Sequence, residues 1–264
     1  MLLYNELVRQ IVENMAQRVR DLRHIDPERI GILAAARCSG GSTGNLATCY
    51  GLNREQNPTF SIWTRPRSRQ IIAISEWFQY RSPRMRLGGR DMTYLILLRL
   101  PRLLLRNPLT TLVHELYHIS VKFDTTMRPL RHGPHFNREV RRIAQDWLTR
   151  QRGELARLAQ MRHHELQREY GAVLALSVPS HFCLPIVEPL ELPAPAMKDI
   201  LHLYPGYTLA PRFKINPAPV APEDAPRMLA DKDLVLRHYS RTGSERIPTV
   251  LARYSQRQIA LSAG

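Results

Sequence analysis

The sequence predicts an α+β fold in which one helix packs against a small β-sheet. Three observations predict it: an amphipathic helical pattern near the amino terminus, several short β-forming runs before residue 100, and two helical patterns after Asn107. With 264 residues, 44% of them hydrophobic, the chain can bury a full core. We expect a main domain at residues 1–175 and a C-terminal region at 176–264.

The first elements are a helix and a set of strands. Residues 4–23 repeat apolar side chains at three- and four-residue spacing, which is typical of an amphipathic helix that ends at Asp26-Pro27. Two β-forming runs are separated by Arg-Pro-Arg-Ser-Arg and are expected to pair as a hairpin. The predicted strands are residues 29–37, 59–63, 70–75 and 93–98, and the predicted loops are residues 39–44 and 82–90.

Two helices follow the strands. Asn107-Pro108 is a favourable helix start, because Asn caps free amides and Pro tolerates the first turn. This helix is expected to run through His118 to about Lys122. The second extends from Phe136 to about Arg150, with helical character continuing toward Tyr170.

The composition then changes. Residues 179–226 contain 11 of the 20 prolines, which indicates an extended wrap or linker. After Arg227 a short helix and two β-forming runs, 234–239 and 247–254, are expected. Residues 176–264 are thus predicted to be a Pro-rich extension with a small C-terminal region, and their sequence suggests no role.

Several classes of protein are disfavoured by composition. The longest apolar run, Tyr94 to Leu98, is far shorter than the roughly 20 residues that span a bilayer. The amino terminus lacks the layout of a signal peptide. Three cysteines, Cys38, Cys49 and Cys183, form no Cys-x-x-Cys pair, which argues against a disulfide framework and a zinc ribbon. We expect a cytoplasmic protein without a membrane partner.

The charge is concentrated in the first part of the chain. Residues 1–150 hold 24 Lys and Arg against 12 Asp and Glu, and nearly all the cations are arginine. Arginine suits phosphate contact, because its planar fork binds two oxygens at once. DNA, or a DNA-bound protein, is therefore an expected partner. The alternative is that the arginines only solvate the surface.

The strongest functional pattern is His114-Glu115-Leu116-Tyr117-His118. On a helix, His114 and His118 project from one face at a separation that suits two ligands of a tetrahedral zinc ion. Glu115 lies beside them, where it can act as general base toward a zinc-bound water without binding the metal. The pattern predicts a zinc-dependent hydrolase of peptide bonds.

A third metal ligand is needed, and four residues are candidates. Asp124 has the spacing of a longer motif, but Val121 replaces the glycine that this motif requires. Glu139 lies among arginines and is expected to form an ion pair on a helix surface. His132 and His135 remain; a loop could present His132, and His135 would lie in the first turn of the next helix.

His-Glu-x-x-His followed by His132-Gly133-Pro134-His135-Phe136 resembles the SprT-like metallopeptidases, a Spartan-related family. The resemblance covers roughly residues 5–150 and is specific at 107–140. It implies a zincin-like core of helix, small β-sheet, His-Glu-x-x-His helix and following helix, with His132 as third zinc ligand. It also implies endopeptidase activity on DNA-associated proteins, and a strand among 59–63 and 70–75 that pairs with substrate. The family's zinc ribbon is absent.

Three further residues are candidates for contacts to the substrate or the transition state: Tyr117, Arg128 and Arg131. Simple packing of Tyr117 and a solvated loop around the arginines are the alternatives. A different class of function is also open. A non-catalytic DNA-binding or assembly protein could use the same fold with a structural zinc, although Glu115 would then have no use as a base.

Overall fold

The computed structural model describes residues 1–36, 45–54, 57–182, 186–219, 227–241 and 243–246. The predicted loop at 39–44, the predicted strand at 247–254, and two of the cysteines, Cys38 and Cys183, lie outside these residues. The fold is mixed α+β, as predicted.

The chain divides into two compact units, and the division differs from the boundary expected at residue 175. The first unit contains residues 1–52, 84–180 and the segment from Met228; the second contains residues 53–83 and 181–227. The boundary differs because the main sheet takes strands from both ends of the chain, while two separate segments build the second unit.

The helices agree with the sequence pattern at their starts more than at their ends. The first ends at Arg18, before a short 3-10 turn, and the second ends at Tyr117 rather than near Lys122. After Arg150 the predicted helical continuation is interrupted at Gly153, whose φ of +97° is incompatible with a right-handed helix. The helices are α1 (Tyr4–Arg18), α2 (Pro108–Tyr117), α3 (Pro134–Arg150), α4 (Glu154–Leu158), α5 (His163–Tyr170) and α6 (Met197–Leu203).

Many of the strands are short. The predicted strand at 93–98 and the one at 234–239 are confirmed. The described strands are β1 (Leu2–Leu3), β2 (Ile30–Ala34), β3 (Ala47–Gly51), β4 (Ile62–Arg65), β5 (Gln70–Ser75), β6 (Phe78–Arg81), β7 (Arg84–Leu87), β8 (Arg90–Asp91), β9 (Tyr94–Leu98), β10 (Val173–Ser177), β11 (Ile186–Pro189), β12 (Thr208–Asn216), β13 (Met228–Ala230), β14 (Val235–Tyr239) and β15 (Ser244–Arg246).

The first unit is built on a mixed sheet in the order β15-β14-β10-β2-β9-β3, with β1 beside β10. The central strands are parallel: β2 pairs with β9, and Ile30 lies opposite Tyr94. At the edge, β3 pairs antiparallel with β9. Helices α1, α2 and α3 contribute their apolar faces to one buried core with these strands. The motif helix therefore packs on a sheet, as the sequence predicts.

Asn5 joins the two parallel strands at the centre of this sheet. Strands β10 and β2 pair only at Ser177 and Ala34 among the described residues. Beyond that point the buried Asn5 amide donates to the carbonyls of Ile32 (2.8 Å) and Leu176 (3.0 Å) and accepts from the Leu176 amide (2.6 Å). The side chain thus replaces backbone pairing that the strands do not make with each other.

The second unit corrects the expectation of an extended Pro-rich linker. Its segment 181–227 includes β11, α6 and β12, and β12 joins β4 and β5 in a three-stranded sheet. The hairpin of β4 and β5 is confirmed. Ile71, Ile74 and Ile200 form its core. Of the seven prolines of this segment that the structure describes, five lie between the elements rather than within them, so they do not prevent the strands.

Two smaller expectations were wrong. The predicted loop at 82–90 contains the antiparallel pair of β7 and β8. The short helix expected after Arg227 is instead β13, which lies parallel to β7, followed by a 3-10 turn at Asp231–Asp233. No helix in the described ranges is both long and apolar enough to cross a bilayer.

We expect Asn5→Ala to lower the free energy of unfolding by about 3 kcal/mol, because it leaves a buried amide and two carbonyls without partners. Urea unfolding followed by circular dichroism measures the change. Gln17→Ala, on the exposed face of the same helix, is the control and should change stability by less than about 0.5 kcal/mol. Equal stability of the two variants would contradict the role of Asn5.

Candidate metal centre

Helix α2 is specified locally at its start and by its buried face. The Asn107 side chain accepts from the Thr110 amide at 3.1 Å, and Pro108 occupies the first turn. Leu112, Val113 and Leu116 are buried in the core. This packing turns His114 and His118 toward the opposite side of the helix.

Three imidazoles meet beside α2. Nε2 of His118 lies 3.2 Å from Nε2 of His114 and 2.8 Å from Nε2 of His132. The three residues form a group whose ligand atoms all lie within 4.8 Å of one another, so the group can hold a metal ion. His132, the third ligand implied by the resemblance, is therefore brought to the motif helix.

The loop after α2 returns His132 to this position. Beyond His118 the chain reverses through a bridge between Ile119 and Met127, and the Arg128 amide donates to the His118 carbonyl at 2.8 Å. The Tyr94 hydroxyl, from β9, donates to the Thr126 carbonyl at 2.8 Å. The far side of the loop is thus attached both to the end of α2 and to the sheet.

Phe136 supports all three imidazoles. Phe136 is 3% exposed, and the centroid of its ring lies 4.8 to 5.0 Å from the ring centroids of His114, His118 and His132. The sequence pattern did not assign Phe136 a role in the site. The available signal was its spacing, since a side chain four residues after His132 at the start of a helix lies one turn away from it.

The environment keeps the imidazoles able to bind a metal. Burial, followed by the neighbouring His132, lowers the pKa of His114. Burial, then His114, His132 and Arg128, lowers the pKa of His118 to about 4. Neutral imidazole presents a lone pair to a cation, so both ligands are in the binding form at neutral pH.

Glu115 is adjacent to the ligands but lies outside the histidine group. The residue is 7% exposed, and its carboxylate oxygen Oε2 accepts a hydrogen bond from the Cys49 amide on β3 at 2.8 Å. Burial raises the pKa of Glu115 to about 7, and the Cys49 amide acts in the opposite direction. The carboxylate is therefore held between the motif helix and the edge of the sheet.

A cavity of about 510 Å³ opens on the three histidines and Glu115. Strand β3 and the two residues before it form one wall, and Thr110, Thr111 and Met127 contribute to the others. Because the Cys49 amide points at Glu115 and away from β9, Ala47 and Cys49 direct backbone groups toward the outer edge of the sheet. Among the described residues no further strand pairs with β3 on this side, so the cavity lies beside an open strand edge.

The strand at the cavity was missed by the sequence analysis. The two strands named there as substrate-pairing candidates became β4 and β5, which pair with each other in the second unit. Residues 47–51 carry a weak signal, the β-formers Thr48, Cys49 and Tyr50 in a run too short to stand out.

The other candidate ligands lie elsewhere. Asp124 is exposed and accepts from the Thr126 hydroxyl at 2.6 Å. Glu139 forms the expected ion pair on a helix surface, with Arg142 at 3.0 Å. His135 is exposed on the first turn of α3 and does not belong to the histidine group.

The three candidate contact residues are placed differently. Arg128 donates from Nε to the Ile119 carbonyl at 2.8 Å, lies 3.1 Å from Nε2 of His24, and stacks over Tyr117 at 4.9 Å. Tyr117 also packs on Phe136. Neither residue lines the cavity, and Arg131 is exposed. Through these contacts Arg128 and Tyr117 stabilise the loop. A role of Tyr117, Arg128 or Arg131 in substrate binding stays a prediction.

We expect the purified protein to bind one Zn²⁺ per chain through the histidine group. Replacing His118 or His132 by Ala should weaken binding by more than about 100-fold, since even residues behind the ligands contribute 10- to 100-fold. Competition with a chromogenic chelator measures the affinity. His135→Ala is the control, because His135 neighbours the site without joining it, and an equal loss there would contradict the assignment.

Comparison of the chain with protein-family models, curated proteins and solved structures found no match. Its function is therefore inferred from the histidine group, Glu115 and the cavity beside them. Together these residues can hold a metal ion next to a buried carboxylate at the open edge of a sheet.

Proposed function

We propose that the chain is a zinc-dependent endopeptidase with a zincin-like, SprT-like core. His114, His118 and His132 hold the zinc ion, and Glu115 is the general base. One observation carries the proposal: a buried carboxylate lies beside three converging imidazoles, in a cavity next to a strand edge that no other described strand pairs with. A site that only stabilised the fold would need neither the carboxylate nor the cavity.

The donor set supports zinc. Imidazole nitrogens suit Zn²⁺, and bond lengths of about 2.0–2.1 Å put the nitrogens of a tetrahedral site about 3.3 Å apart, near the separations seen here. Three protein ligands with a free fourth position are typical of catalytic zinc, whereas structural zinc has four. No fourth His, Cys, Asp or Glu belongs to the group among the residues that the structure describes.

Zinc supplies a Lewis acid, which polarises a carbonyl and makes water more acidic. Glu115 accepts a proton from the attacking water and passes it to the leaving amine. The Cys49 amide holds Oε2 and so fixes the direction of the carboxylate. Oε1 has no donor among the described residues, and this leaves it available for the proton.

The strand edge supports a peptide substrate. The outer edge of β3 offers the backbone groups of Ala47 and Cys49, apart from the amide that Glu115 holds, and an extended peptide can pair with such an edge. The pairing is independent of side chains, which suits an endopeptidase acting on unfolded protein segments. The arginine excess of residues 1–150 supports DNA-associated proteins as substrates.

We expect Glu115→Gln to lower the rate of peptide hydrolysis by about 10²- to 10⁴-fold while leaving zinc binding unchanged. Glutamine keeps the size of the side chain and an oxygen that accepts from Cys49, but cannot take the proton. Cleavage of an unfolded generic protein is measured with and without single-stranded DNA, and zinc content is measured in parallel. Glu139→Gln, which removes a surface carboxylate, is the control.

Two results would count against the proposal. Equal cleavage by wild type and Glu115→Gln would remove Glu115 as base. Zinc-loaded wild type that cleaves nothing under either condition would favour the alternative, a DNA-binding or assembly protein with a structural zinc. Faster cleavage with DNA would support substrates that are bound to DNA.

A further inference from the structure

A second cavity in the first unit is lined by three arginines. It has a volume of about 440 Å³ and lies between the start of α2, the outer side of α3 and the residues that precede α5. Arg106, Arg141 and Arg162 line it, together with the polar side chains of Thr110, Gln145 and Gln160. Its size falls within the range of small-ligand sites.

Within the described ranges, two of the arginines that line this cavity, Arg141 and Arg162, lack the carboxylate partners that several nearby arginines have. Arg142 pairs with Asp21 and Glu139, Arg150 with Asp146, and Arg157 with Glu154 and Glu169. By contrast, no described carboxylate lines the cavity and no described ion pair includes Arg141 or Arg162, although the Glu165 carboxylate accepts from the Arg162 backbone amide at 2.6 Å. Arg141 and Arg162 face the same concavity, and a bound anion would offset the repulsion between their charges.

We propose that this cavity binds a phosphate group. Guanidinium groups present paired N–H donors whose spacing matches phosphate oxygens, and such charge-assisted bonds are among the strongest in proteins. Hydroxyl and amide groups of Thr110, Gln145 and Gln160 can donate to the remaining oxygens. The amino end of α2, which carries a partial positive charge, lies at the same wall and adds to the attraction.

The proposed phosphate site lies beside the cavity of the histidine group. Thr110 lines both cavities, so the phosphate site adjoins the space beside His114 at this residue of α2. A molecule anchored by its phosphate here is held next to the histidine group. Phosphate binding does not depend on the proposed peptidase activity, because it is measured without turnover.

The test is a titration of the full chain with inorganic phosphate at low ionic strength, followed by calorimetry. Wild type should bind one phosphate saturably. The double variant Arg141→Gln, Arg162→Gln should lose about tenfold or more in affinity, since it removes two charge-assisted contacts. Glu115→Gln should bind like wild type, which separates this inference from the peptidase proposal.

The matched control is Arg150→Gln, Arg168→Gln, which removes the same charge from α3 and α5 outside the cavity. An equal loss in the control, or no saturable binding by wild type, would overturn the proposal, because either result means that only overall charge attracts the ion. Thermal unfolding shows whether the variants are folded.

The source of the phosphate is decided by a second titration, with a short single-stranded DNA oligonucleotide. Tighter binding than inorganic phosphate, lost in the double variant and kept in the control, assigns the site to a polynucleotide phosphate. Oligonucleotide binding that is unaffected by the double variant, alongside phosphate binding that is lost, assigns it to a free phosphate or a small phosphate ester.

Discussion

The hydrogen bond from the Cys49 amide to Glu115 joins the motif helix to the edge of the main sheet. It is short, it is buried, and it connects residues 66 positions apart. An amide on a sheet edge needs a partner, and a buried carboxylate needs a donor. Each group meets the requirement of the other. Together with the core packing of Leu112, Val113 and Leu116, the bond restricts rotation of α2 about its axis and so the direction in which His114 and His118 point.

The loop that follows α2 depends on that placement. Several contacts attach the part of the loop that returns His132 to the helix. The Tyr94 hydroxyl donates to the Thr126 carbonyl. Arg128 donates to the Ile119 carbonyl and stacks on the ring of Tyr117. Gly51, at the end of β3, also matters because it has no side chain. A Cβ there would lie 1.8 Å from the Thr125 carbonyl oxygen, so strand and loop can approach only where no side chain stands between them.

The local parts of the site could be predicted from the sequence. Spacing and capping predicted the motif helix with His114 and His118 on one face, because these depend on residues close together in the chain. His132, the third member of the histidine group, was selected over His135 only by the resemblance to SprT-like metallopeptidases. The predicted end of the helix was wrong, since its last turn gives way to a loop held by Arg128 and Tyr94, which no pattern near Lys122 reveals. The peptidase activity and the role of DNA stay predictions.

The non-local parts could not be predicted. Strand β10 has the apolar run Val-Leu-Ala-Leu, which suits a helix as well as a strand, and becomes a strand because β1, β2 and β14 pair with it. Strand β3 is recognisable only from its partner β9. The second unit joins two segments separated by about 100 residues, and the proline-rich composition of the later segment does not reveal its association with the earlier one.

The histidine group and Glu115 differ in how they are assembled. His114, His118 and His132 lie within 19 consecutive residues, so the short helix and its loop can gather them early in folding, when only local contacts have formed. The support of Glu115 comes from β3, which takes its place only when the long-range pairing with β9 is complete. The histidine group can therefore form before the sheet is finished, and an immature chain that already has this group would still lack an oriented Glu115 carboxylate.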